Sequence, residues 1–545
     1  MAPGHSVSSK FAFAEYQNNV HPQWWKDSGM RRGNFVILLY MVAQATGGYD
    51  KSLINNLQSI PTWQEVVGHP TGSALGVVTA MLSIGVIVGS PFFGWLSDWR
   101  GRKITMFTGS CIMLVGAILQ AAATNRDFFI GGRFLIGFGV AGTLCSGPLL
   151  ASEIAHPRQR SVVASFYNTF WYVGSIICAW LSFGTAYLSN DWAWRIPCIG
   201  QAVPALILVC IGMWLPESPR YLVKKNRSDE ALAILARYHA NGDESDHLVQ
   251  FELQEIKQTL DAEAMYETKG WIKPWLDLVS TGPNRYRMFI ITVMVIGIDW
   301  CGTSITSYYV RISFPPLDHI AYSAETGLLI AAIHYSVLSR HHICNPTNGG
   351  LQIFNWLTSV TGAMLVERLG RRALWLTSFG GMLAVNIPFG ACSALYAKRG
   401  DLAAGRAVVA LVFLYNGFYN IGCNPLPYAY TVEILPYNIR AKGLAFEVAF
   451  DASQGVLGQW TNPIAMESLE WKFYFVYTAF LVLIVLVVYF TFPETKGLTL
   501  EEIKEVFGDG DSVNPAMSED YDPAEAKSDD AQVDIKDVPL TVTGQ

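Results

Sequence analysis

A few charged residues stand inside long apolar runs of this chain, where charge is expensive and is kept for a purpose. Asp50 closes the stretch Gly47-Gly48-Tyr49-Asp50 near the end of the first run, and Arg133 follows Gly132 in the fourth. A carboxylate in such surroundings must be protonated or paired, and Arg133 is the natural partner for Asp50. Asp299 and Asp451 lie in later runs, whereas Glu447 is read as lying near a helix end, where it helps to set topology.

A second set of acids and arginines recurs in order. Asp98, Gly101, Arg102 and Lys103 return in form as Glu367, Gly370, Arg371 and Arg372. Glu153 with Arg160 returns as Glu433 with Arg440, and Glu217 with Arg220 as Glu494 with Lys496, each about 270 to 280 residues later. Three unrelated motifs repeating at one spacing mark an internal duplication. Acid and guanidinium at helix ends can pair between helices and hold one face shut. Exposed pairs are worth about 0 to 1 kcal/mol each, so only the network can bias such a closure.

The elements that position these residues follow from composition. Of 545 residues, 51% are hydrophobic and 15% charged, with mean hydropathy +0.26. That is about 278 apolar positions, and a membrane-crossing helix needs roughly 20, so the supply covers twelve helices and little else. Net charge of -6 and pI near 6.0 exclude a nucleic-acid binder, and the apolarity excludes disorder. Nine scattered cysteines imply neither a disulfide framework nor a metal site. No basic start with an apolar h-region and cleavage site is visible, so the first helix is expected to insert directly.

Apolar runs predict spans at 33–56, 73–96, 103–124, 128–151, 161–187 and 194–215, then 285–311, 349–367, 373–396, 403–429, 441–462 and 469–492. The predicted organisation is an N-terminal tail (1–32), a six-helix half (33–215), a polar linker with short amphipathic helices (216–284), a second half (285–492) and an acidic tail (493–545) that is disordered beyond Gly508. Lys and Arg concentrate on the loops that carry the repeated motifs, while 58–72 has none. The linker and both termini are therefore expected on the cytoplasmic side. Residues 331–347, with His341, His342 and Cys344, form an unusually long connection read as an insertion; the two histidines make a weak metal motif.

With Gly47 to Asp50, Asp98 to Lys103, Gly132-Arg133, Pro216 to Arg220, Glu367 to Arg372 and Pro493 to Gly497 in place, residues 33 to 505 resemble the sugar porter branch of the major facilitator superfamily. Trp300-Cys301-Gly302, Ser307-Tyr308-Tyr309 and Asn348 to Trp356 look most like fungal lactose and hexose permeases. The resemblance implies an all-α membrane protein, twelve helices in two pseudo-symmetric six-helix bundles, with Asp50 and Arg133 coupling proton binding to transport. It also implies a cytoplasmic gate of Asp98, Arg102, Glu153, Arg160, Glu217, Arg220, Glu367, Arg371, Glu433, Arg440 and Glu494. A sugar needs amides, hydroxyls and aromatic surfaces near the midplane; the matching positions are Asn168, Asp299, Ser304, Asn355 and Tyr428, with Gln352, Trp460 and Asn462 added. Departures from the hexose pattern, Ile298-Asp299 where two glutamines are usual and Asn168 for a glutamine, point away from simple glucose specificity.

The expected function is proton-coupled import of a mono- or disaccharide by alternating access. The alternatives are a permease for a glycosylated or polyhydroxylated metabolite, or a non-transporting sugar receptor. No enzyme, cofactor or metal is expected. The expected partners are a small-molecule sugar, protons and the lipid bilayer, with no nucleic acid, for a monomer at the plasma membrane.

Overall fold

The computed structural model describes residues 20–303 and 344–508, apart from 22, 59, 71–72, 186, 265–272, 400–401, 470–471, 499–502 and 504. Ser304, most of the 331–347 connection and the tail beyond Gly508 fall outside the described residues.

The described chain is helical. In the first half α1 (Ser28–Leu57) is followed by a short α2 (Pro61–Val67), then α3 (Ser73–Arg100), α4 (Arg102–Ala121), α5 (Arg126–Ile154), α6 (Arg160–Thr185), and a sixth span made of α7 (Trp192–Gly200) and α8 (Ala202–Gly212). The linker carries α9 (Pro219–Lys224), α10 (Ser228–His239), α11 (His247–Ala264) and α12 (Lys273–Ser280). The second half contains α13 (Gly282–Asp299), α14 (Cys344–Leu369), α15 (Arg371–Arg399), α16 (Leu402–Gly422) with a short α17 (Pro427–Ile434), α18 (Tyr437–Leu469) and α19 (Phe473–Thr491).

Local chemistry explains several boundaries. Asp27 caps α1 by accepting from the Met30 amide at 2.9 Å, and Asn125 caps α5 through Phe128 at the same distance. The α3–α4 and α14–α15 turns hinge on Gly101 (φ 97°) and Gly370 (φ 90°). A side chain there would be strained and would collide with the carboxylate of Glu217 or Glu494.

Seven helices among the described residues are long and apolar enough to cross a membrane on their own. Those below that standard include α1 and α18, which carry Gln44, Asp50 and Lys51, or Glu447 and Asp451. These polar and charged residues are what make them less apolar.

Within the halves α5 packs on α3 and α4, and α15 on α16 and α19; between them α3 packs on α18 and α6 on α14, two matching contacts that reflect the duplication. Small residues permit close approach, as where Gly174 meets the backbone of Ala45 and Gly94 faces Ala445. The second half closes around Met294, Trp375, Phe379, Tyr430 and Phe492. The first has cores around Trp63, Phe129 and Trp194 and around Phe93, Met113 and Cys145.

Candidate functional site

At the linker end of the bundle the repeated motifs build the same device twice. Glu217 receives the backbone amides of Arg102 and Lys103, each at 3.2 Å, at the start of α4. Glu494 receives those of Arg371 and Arg372 at 2.8 and 3.1 Å at the start of α15. The two acids satisfy the free amides of a helix N-terminus and complement its dipole. Burial pushes the Glu217 carboxyl up, against the pull of the Ser218 amide and Arg102.

The next layer matches too. Arg102 Nε lies 3.7 Å from Glu153, with both side chains buried, and Arg371 holds Glu433 at 2.8 Å. Ser218 donates to Glu153 as Thr495 donates to Glu433. Arg160 and Arg440 each donate Nε to a backbone carbonyl, Ser152 at 3.1 Å and Leu435 at 3.0 Å.

The halves differ at the motif's first acid. Glu367 pairs within its own half, with Arg371 at 3.2 Å, whereas Asp98 reaches across to Lys442 at the start of α18. The Arg102 guanidinium also crosses, sitting 5.0 Å from the Tyr437 ring. Arg220 is buried at the same end.

The linker is tied to the first half by a buried cluster. His239 holds Glu252 at 2.8 Å through Nδ1 and the Ile154 carbonyl at 3.0 Å through Nε2, while Arg160 pairs with the other Glu252 oxygen at 2.9 Å. Burial would raise Glu252, but His239 and Arg160 hold it down at about 2. His156 stacks edge-on against His239 with centroids 5.2 Å apart, and burial, with its histidine neighbour, lowers it to about 3. Arg160 therefore serves linker docking, a role its motif position does not reveal.

Halfway along the spans a polar belt joins the halves. Asn168 on α6 bonds Gln44 on α1 and the Asn424 backbone carbonyl. Tyr172, one turn on, donates to Asn420 at 2.6 Å, and Asn420 donates to Asn355 at 3.0 Å. Ser359 bonds the Asn424 side chain. Gln352 is buried on the Asn355 helix, and Asn462 accepts from Tyr477 at 2.8 Å. Tyr428 packs edge-on to Tyr167 below the belt, with centroids 6.1 Å apart. Trp460 lies in α18, but its side chain is outside the described ones. Gln44, Tyr172, Asn420, Asn424 and Ser359 were not singled out from the sequence, where a lone amide or hydroxyl in an apolar run has no distinguishing pattern.

Asp50 and Arg133 are both buried, at 1% and 2% exposure. They are near enough for their charges to interact, yet no ion pair closes between them, and both Asp50 oxygens lack a hydrogen-bond partner among the described residues. An acid and a guanidinium buried together without a direct bond leave the protonation of the acid dependent on its surroundings. Asp299 also has an oxygen without a partner among the described residues and interacts electrostatically with Asp451. Glu447 is buried at 3% exposure rather than lying at a surface, because α18 begins at Tyr437 and ten residues carry it roughly 15 Å into the bundle.

Two six-helix halves, each with the same charge network at one end, joined there by Asp98–Lys442 and bridged by a central polar belt, form the architecture of a transporter rather than an enzyme. The family model described as sugar (and other) transporter matches residues 36–314 and 333–507, passing over 315–332. The chain belongs to this family, within the major facilitator superfamily.

Relatives include a high-affinity glucose transporter of Kluyveromyces lactis, 26% identical over 85% of this chain and 82% of the relative. The MFS-type transporter oryC of Aspergillus oryzae is 28% identical over 90% and 88%, and a quinate permease of Neurospora africana 26% over 84% and 86%. Among solved structures, the proton:xylose symporter XylE bound to 6-bromo-6-deoxy-D-glucose superposes with TM-score 0.71 at 22% identity, covering 87% of this chain and 98% of that one. The twelve-helix fold is thus that of the superfamily.

Proposed function

We propose that this chain is a proton-coupled sugar transporter that works by alternating access, with the linker end cytoplasmic, in the plasma membrane and as a monomer. The observation that carries the reading is Asp50, buried near Arg133 with neither carboxylate oxygen bonded among the described residues, on the same helix as Gln44 of the polar belt. A proton on Asp50 removes its attraction for Arg133 and frees α1 to move against α5. The belt's amides and hydroxyls take sugar hydroxyls, and because Tyr172–Asn420 and Asn168–Asn424 already bridge the halves, a sugar inserted there reports its presence to both.

Relatives named as glucose transporters and a fold neighbour named as a proton:xylose symporter support the substrate class and the coupling ion. Closure at the linker end by Asp98–Lys442 keeps the cytoplasmic side shut while the cleft loads from outside. The test is uptake of radiolabelled hexoses, pentoses and disaccharides into cells lacking their own transporters, with and without a proton uncoupler. Accumulation abolished by the uncoupler is expected. Uptake insensitive to it removes the coupling, and no uptake of any sugar removes the substrate class.

A further inference from the structure

Where α1 meets the linker, a pocket of about 450 Å³ lies between α1 and α10. Arg31 and Arg32 from the start of α1 and Arg237 from the last turn of α10 line it, together with buried Val36 and Tyr238 and exposed Phe35. The two helices are bonded into place there. Asn241, just after α10, accepts from the Gly29 amide and donates to Asp27, each at 2.8 Å, and Asp27 in turn caps α1.

The three arginines are exposed, and none of their guanidinium groups has a carboxylate partner among the described residues. Arg237 lies over the Tyr238 ring, 5.7 Å from its centroid. The oxygens of Asp27 are already taken by the Met30 and His21 amides and by Asn241. No acid stands in the first turn of α1, where Arg31 adds to the partial positive charge of the helix N-terminus. Three uncompensated positive groups around one pocket select an anion, and guanidinium forks match the oxygens of a phosphate.

What lies beside the pocket decides which anion. Phe35 and Leu38 stand four and seven residues after Arg31, on one stripe of α1, and are 60% and 44% exposed. On a membrane-crossing helix of this family such side chains meet hydrocarbon. Trp24 and Trp25, also exposed and packed edge-on with centroids 6.0 Å apart, precede α1, and aromatic rings at a span's end settle among lipid headgroups. A soluble phosphate would use the arginines alone, whereas a phospholipid uses the arginines and the apolar stripe. We propose that Arg31, Arg32 and Arg237 bind the phosphate of an anionic phospholipid in the leaflet at the linker end, with its acyl chains along Phe35 and Leu38. Because Arg31 and Arg32 belong to the first half and Arg237 to the linker, the headgroup bridges the two. Lipid binding there is independent of which solute the cleft carries.

The test measures binding of dioleoylphosphatidic acid, dioleoylphosphatidylcholine and glycerol 3-phosphate to the purified full-length protein in detergent, by native mass spectrometry and by the shift in melting temperature. Phosphatidic acid should bind about tenfold more tightly than either of the others, since charge-assisted bonds and the apolar stripe act together only on it. Each of Arg31→Gln, Arg32→Gln and Arg237→Gln should weaken it about fivefold, and the triple variant should bring the two lipids to within about twofold of each other. Arg285→Gln, at an exposed arginine near the same end, should leave the preference unchanged. The melting temperature without lipid checks that each variant is folded, and the single variants decide alone if the triple one is not. Equal binding of the two lipids overturns the proposal, as does a preference that survives the arginine variants or that Arg285→Gln lowers as much as Arg237→Gln does. Glycerol 3-phosphate binding as tightly as phosphatidic acid makes this a soluble-phosphate site and overturns the lipid assignment.

Discussion

If Asp98 to Lys442 is the ion pair that joins the halves at the linker end, Asp98→Asn should shift the protein toward the form open on that side. The pair is partly shielded, with side-chain exposures of 23% and 11%. A hydrogen bond between charged groups in such a setting is worth about 1.5–3 kcal/mol. Asparagine keeps the shape and a neutral bond, so a loss of about 1.5 kcal/mol is the reasonable figure, and at 1.4 kcal/mol per decade the population moves roughly tenfold. Ala445 reports on it, because it is fully buried where α3 meets α18, facing Gly94. With Ala445→Cys in a Cys210→Ser background, the rate of alkylation from the linker side should rise about tenfold when Asp98→Asn is added, and Lys442→Gln should do the same. The melting temperature checks that the fold is intact. A rate unchanged within twofold in a folded protein refutes the latch.

Other outcomes follow from the same geometry. Gly101→Ala and Gly370→Ala force a side chain into a left-handed turn against a carboxylate, and each should cost about 1–3 kcal/mol, read as a lower melting temperature. Arg102→Ala strands the buried Glu153 and should cost about 3–5 kcal/mol, more than Arg160→Ala, whose side chain is 27% exposed. His156 is held at about 3 against an ordinary 6.5, so its contribution is complete above pH 6.5 and is lost as pH falls toward 3, at about 1.4 kcal/mol per unit. Protection factors in α10 and α11, corrected for the intrinsic exchange rate at each pH, should accordingly fall between pH 7.5 and 5.5 in the wild type and change less in His156→Gln. Tyr172→Phe removes the bond to Asn420 and should weaken sugar binding several-fold in an equilibrium binding assay.

The duplication and the spans were legible because they depend on apolar runs and on charged motifs that recur at one spacing. The sixth span, predicted at 194–215, runs continuously over Trp192–Gly212, with Gln201 between its two segments still in right-handed helical geometry. The tenth, predicted at 403–429, instead ends α16 at Gly422 and resumes as α17 at Pro427. Partner choice was not legible. Nothing in the motif says that Asp98 reaches the other half while Glu367 stays at home, or that Arg160 binds the linker's Glu252; these depend on which helices meet in three dimensions. Lys51 was invisible for another reason: beside Asp50 it reads as an ordinary charge near a helix end, and only the approach of α18 gives it Asp451. The belt residues Asn420 and Asn424 gain meaning only as a set.

The most direct test of the central claim is counterflow and gradient-driven uptake by Asp50→Asn in liposomes. With a neutral residue fixed at position 50, sugar exchange down its own gradient should continue while accumulation driven by a proton gradient disappears. Proton-driven accumulation that persists in Asp50→Asn would contradict the account.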